Sequence, residues 1–110
     1  MDKNFIIDQN MINYIFSHTN NLHKVQKKLL KYNEKLGHIK KLQISILQAN
    51  FIQFIIKINN YKSYLEIGTF TGYSILSAAL AITKNCKLIG KHKNIKNKND
   101  ANKFFKESKK

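Results

Sequence analysis

The stretch Tyr64-Leu65-Glu66-Ile67-Gly68-Thr69-Phe70-Thr71-Gly72-Tyr73-Ser74 limits the fold more than any other part of the chain. Tyr64, Leu65 and Ile67 suit the end of a buried strand. Gly68 and Gly72 bracket a tight turn, and Ser74 opens an apolar, helix-compatible run over 75–82. A strand passing through a glycine loop into a helix presents backbone N–H groups and a positive helix end to an anionic ligand group. The spacing is neither G-x-G-x-x-G nor that of a P-loop, which ends in Gly-Lys-Ser/Thr. Glu66, just before the loop, repels phosphate and suits a ligand carrying an ammonium or sulfonium group. A strand-end carboxylate, free N–H groups and a helix N-terminus together fit a zwitterionic, adenosine-bearing ligand.

The flanking sequence supplies helices before this unit and a strand after it. Phe5, Ile6, Met11, Ile12, Ile15 and Phe16 give one apolar face over 4–16, and 17–21 reads as a polar break. Leu22, Val25, Leu29, Tyr32 and Leu36 recur at intervals of three and four. They predict an amphipathic helix over 21–36, with an Asn N-cap and a stop at Gly37. A connector over 40–44 leads to Ser45, which stands in capping-box spacing with Gln48. Leu47, Phe51, Ile55 and Ile58 are the expected core stripe of that third helix. A strand over 63–67, the loop, a helix through Ile82 and a short strand over 87–90 make one βαβ unit, with the strands parallel. Beyond Gly90 the chain turns Lys/Asn-rich. A helix is expected over 100–108, with Ala101, Phe104 and Phe105 as its contacts. The expected organisation is one domain over 1–110: helices over 1–60, the βαβ unit over 61–92 and a tail over 93–110.

Charge admits two readings. The formal net charge is +14, and every one of the twenty basic residues is Lys. A phosphate-rich partner such as RNA, DNA or an anionic membrane would account for it. So would compositional drift, since Lys, Asn and Ile share A/T-rich codons and the chain has no Pro or Trp. The absence of Arg removes the side chain best suited to bidentate phosphate and guanine contacts. Cys86 is the only cysteine, which excludes an internal disulfide and fits a reducing, cytoplasmic setting. No N-terminal basic and apolar tract marks a signal peptide. The most apolar stretch, 51–58, is too short to span a bilayer. His18, His23, His38 and His92 are scattered and predict no metal site. Ser74 lacks the flanks of a nucleophile elbow, so no catalytic residue is assigned. Its expected role is a helix-start hydroxyl that caps N–H groups.

Gln43-Ile44-Ser45, Gln48, Phe51, the 64–74 stretch and Ala79 to Ala81 closely resemble the cation-dependent O-methyltransferases of the caffeoyl-CoA and catechol type, with the nearer likeness to bacterial members. The resemblance runs from about Leu22 to Gly90. It implies an α/β fold, with N-terminal helices and the first βαβ portion of a Rossmann-like, doubly wound methyltransferase sheet. It implies S-adenosylmethionine as cofactor, contacted by Ile44, Glu66, Gly68, Thr69 and Ser74. His92 falls where the family has an Asp or Glu for the ribose hydroxyls. A neutral imidazole accepts one hydrogen bond there, not a bidentate pair. The family's divalent cation, usually Mg²⁺, is held on later strands, and no ligand for it is assignable here. A homodimer formed through the N-terminal helices is also implied.

Three functions follow as expectations. One is an S-adenosylmethionine-dependent O-methyltransferase acting on a hydroxyl, of a small molecule or of tRNA, with this chain supplying the cofactor half. A second is a truncated, non-catalytic remnant of a decaying methyltransferase gene. The third is a Lys-rich protein associated with tRNA or other nucleic acid.

Overall fold

The computed structural model describes residues 6–19 and 21–109. Its centre is a βαβ unit: β1 (Ser63–Ile67), α4 (Tyr73–Ala81) and β2 (Lys87–Lys91). The strands pair in parallel, with Ser63 opposite Lys87 and Ile67 opposite Lys91. Parallel neighbours need a crossover, and α4 supplies it. Gly90 of β2 sits beneath the loop and α4. A Cβ on it would lie 2.7 Å from Thr69 Cγ2 and 2.8 Å from Ile75 Cδ1. That contact places α4 on the sheet face shared by Glu66 and Gly90.

This arrangement corrects the expectation of a buried β1. Tyr64 and Glu66 lie half-buried on the covered face, while Leu65 and Ile67 are 62% and 83% exposed on the other. The strand alternates because helices cover only one side of the sheet.

Four helices precede or follow the unit: α1 (Gln9–Ser17), α2 (Lys24–Glu34), α3 (Ile46–Asn59) and α5 (Ile95–Ser108). Val25, Leu29, Ala49, Tyr73, Leu76 and Phe104 form one buried cluster drawn from α2, α3, α4 and α5. Each large apolar side chain removed from water contributes roughly 1.5–3 kcal/mol. α2, α3, α4 and α5 therefore share a single core, to which α1 contributes no buried residue.

Helix boundaries follow their caps more than their apolar periods. Asp8 accepts a hydrogen bond from the Met11 N–H and starts α1 at Gln9, later than expected. Asn4, Phe5 and part of the break at 17–21 lie outside the described residues, as does Lys110. No residue of α1 is buried. The cap of α2 is His23, not Asn21: its Nδ1 accepts from Val25 N–H while Gln26 Oε1 accepts from His23 N–H. The expected connector at 40–44 is largely a 3₁₀ turn over Gly37–Leu42. Ser45 and Gln48 form the expected capping box of α3. The core stripe of α3 does differ, because its apolar residues run nearly all the way round and the sequence offers no single face. Ala49 and Ile56 are buried, whereas Phe51, Phe54 and Ile58 are exposed. The last helix starts at Ile95 rather than near Asp100, because Asn94 caps it through Asn97 N–H. Among the described residues, no helix is long and apolar enough to cross a membrane.

Candidate functional site

The loop between β1 and α4 is pinned at both ends. Gly68 N–H donates to Lys91 O at 2.7 Å, and Gly72 N–H donates to Thr69 O at 2.8 Å. Gly68 and Gly72 hold φ of +85° and +93°, where side chains with a Cβ are strained. Phe70 also adopts positive φ, +49°. Its N–H donates to His92 Nδ1 at 3.2 Å, which helps hold a conformation rarely adopted by a bulky residue.

The start of α4 differs from the expected one. The helix begins at Tyr73, with Gly72 as N-cap, and no side chain caps it. Ser74 therefore does not satisfy helix N–H groups, and the first-turn donors remain available to a ligand. The Ser74 hydroxyl instead bears on Glu66.

Glu66 is the charged group of the site. Its Oε1 accepts from Tyr64 Oη at 3.0 Å, two residues back on the same strand face. Its Oε2 is buried and has no aligned donor. Burial raises the carboxyl pKa above its ordinary value, while the nearby Ser74 hydroxyl and the Tyr64 hydrogen bond pull the other way. Tyr64 is itself raised, first by burial and then by the Glu66 charge. A half-buried carboxylate with one unsatisfied oxygen favours a cationic hydrogen-bond donor.

Ile44, Gly68, Thr69 and Ser74 line one small cleft, together with Leu42, Gln43, Phe70 and Tyr73. Glu66 is not among the residues that line this cleft; the Ser74 hydroxyl beside it is. His92 lines a second cavity, together with Thr69, Ile75 and Gly90. Its Nδ1 accepts from the Phe70 N–H, and its Nε2 lies 3.2 Å from Asn97 Nδ2. The single acceptor expected to face a ribose is thus already taken by the loop.

Apolar periodicity missed the polar side chains of α2 that hold the loop and α4. Asn33 of α2 binds Thr71, and Gln26 donates to Ser77 Oγ at 3.0 Å. Both are buried. The available signal was their spacing: Gln26 and Asn33 are seven apart and fall on the Val25–Leu29 stripe, where a polar residue needs a partner. Tyr73 Oη is a further buried group without one, and burial raises its pKa to about 12.

A family model described as O-methyltransferase matches residues 16–109. The caffeoyl-CoA O-methyltransferase of Populus kitakamiensis is 36% identical over 52 residues, covering 47% of this chain and 22% of that protein. The flavonoid 3',5'-methyltransferase of Vitis vinifera is 38% identical over 56 residues, covering 51% of this chain and 24% of that protein. Among solved structures, the O-methyltransferase from Bacillus cereus, in complex with SAH, superposes with a TM-score of 0.75 at 20% identity. That match covers 88% of this chain and 44% of the other, and it speaks for the fold. The chain spans about a third or less of the length of the curated relatives it matches.

Proposed function

Because the chain belongs to the O-methyltransferase family, we propose that it provides the S-adenosylmethionine-binding portion of an enzyme that methylates a substrate hydroxyl. The observation that carries this reading is the Glu66 carboxylate. Tyr64 holds one of its oxygens, and the other is buried without an aligned donor beside the glycine loop. An amino acid ammonium is the kind of group that would satisfy that oxygen. The uncapped start of α4 suits the carboxylate of the same zwitterion.

The residues present fit such a ligand. Glu66 would hold its cationic end, and Gly68 leaves open space where a Cβ would stand. Ile44, Thr69 and Ser74 would form the walls. When bound, S-adenosylmethionine supplies an activated methyl group on sulfur. The chain's own part is to hold that group in line with an acceptor oxygen, an effect that can contribute several orders of magnitude to a rate. The family's divalent cation is a different matter. Among the described residues no three His, Cys, Asp or Glu side chains come together to hold a metal ion, so no step is assigned to one.

Calorimetric titration with S-adenosylmethionine and S-adenosylhomocysteine tests the reading. Saturable binding that is lost in Glu66→Ala is expected. The absence of both heat and thermal shift at millimolar ligand would sink it. A methyl-transfer assay with and without Mg²⁺ then separates cofactor binding from turnover.

A further inference from the structure

We propose that Asn33 is a positioning residue that ties together the two walls of the cofactor cleft. The inference rests on reading the 66–74 segment as the S-adenosylmethionine site. Asn33 lies on α2, outside that segment, and is buried. Its Oδ1 accepts from Thr71 Oγ1 at 2.8 Å, and its Nδ2 donates to Gln43 Oε1 at 2.5 Å. Thr71 is in the middle of the glycine loop and fully buried. Gln43 precedes Ile44 and lines the cleft opposite the loop. One planar amide thus reaches both walls, using an acceptor for one and a donor for the other.

The rest of the loop is held from the sheet side. Gly68 N–H donates to Lys91 O and Phe70 N–H to His92. Among the described residues, Thr71 to Asn33 is the hydrogen bond that holds the loop to α2. Asn33 has a firm base from which to act, since Val25 and Leu29 of the same helix sit in the core. Without the tie, Gly68 and Gly72 keep their anchors and the loop still forms. Its distance from Ile44 is then no longer fixed. A shift of that kind weakens a ligand gripped from both sides more than it weakens the fold.

The test combines S-adenosylhomocysteine titration with amide hydrogen exchange on the ligand-free chain. Thr71→Val keeps the shape and removes the hydroxyl; Thr71→Ser restores it; Asn33→Leu removes the amide. Thr71→Val and Asn33→Leu are each expected to weaken binding about tenfold, with Thr71→Ser near the parent. The double variant should lose little more than either single one, because both break the same link. Amides of residues 68–72 should exchange faster in the weakened variants, while those around Leu29 and Leu76 keep their protection. Unchanged affinity and unchanged loop exchange in Thr71→Val would overturn the proposal. So would protection lost equally across the core, which would make Asn33 a stability residue alone. If the parent chain binds no S-adenosylhomocysteine, the assignment of the site fails; the exchange data on the ligand-free chain still decide whether the tie exists.

Discussion

Glu66 stands between folding and binding. Its folded pKa lies above the ordinary 4.5, chiefly because burial disfavours the charge. A carboxyl raised on folding costs stability once it is ionised in the native state. The cost is complete above the raised value, shrinks as pH falls through the interval down to 4.5, and is absent below it. Glu66→Gln is therefore expected to melt higher than the parent near pH 7 and to show no advantage near pH 4. The same variant should bind S-adenosylhomocysteine more weakly. A lower melting temperature at neutral pH would mean that the carboxylate stabilises the ligand-free fold. The two loop glycines separate strain from crowding. A Cβ on Gly72 would meet Ala101 Cβ at 2.8 Å, while one on Gly68 meets nothing within 4 Å. Gly72→Ala should cost about 2–4 kcal/mol in denaturant unfolding, from φ strain plus overlap with α5. Gly68→Ala should cost only about 1–2 kcal/mol, from strain alone. Equal losses would place the crowding elsewhere.

Elements were legible in the sequence wherever a local chemical rule governed them. The Ser45/Gln48 capping box, the glycine loop and the parallel strands around it all follow from short-range residue choices, and they stand in the structure as the sequence suggests. The side of an element that faces inward was less legible. Helix α3 is apolar nearly all round, so its sequence cannot choose between Phe51 and Ile56; the tertiary packing buries Ile56 and leaves Phe51 exposed. Likewise β1 reads as buried throughout because Leu65 and Ile67 are as apolar as Tyr64. Only the one-sided helical layer separates them. In the candidate site, Glu66 and its loop were visible, but the partner of Phe70 was not, since nothing local marks His92 as a loop support. These differences predict unequal mutational costs along one helix. Ile56→Ala should lose about 2–4 kcal/mol by leaving a cavity. Phe51→Ser, on the exposed face, should change stability by about 0.5 kcal/mol or less. Matched losses in chemical denaturation would show that the exposed face of α3 is covered in solution.

At the scale of the whole molecule, charge is the largest departure from an ordinary domain. The formal net charge is +14, and among the described residues Lys28 pairs with Glu107 and Lys40 with Glu34. Other acids are engaged with uncharged groups: Asp8 caps α1, Asp100 accepts from Tyr32, and Glu66 accepts from Tyr64. The radius of gyration is 14.9 Å. At about 0.01 M salt the screening length is roughly 30 Å, so lysines repel one another across the entire molecule. At about 0.15 M it falls to roughly 8 Å, and each lysine is affected only by near neighbours. Self-repulsion destabilises a compact state, whereas surface ion pairs contribute little and are also screened. The first effect should dominate, so the melting temperature should rise as NaCl is raised from about 0.01 to 0.2 M. The rise should be steepest at the low end and then level off. A melting temperature that falls over that range would mean that favourable charge contacts outweigh repulsion. In that event the lysines would belong to specific pairings rather than to a general excess of positive charge.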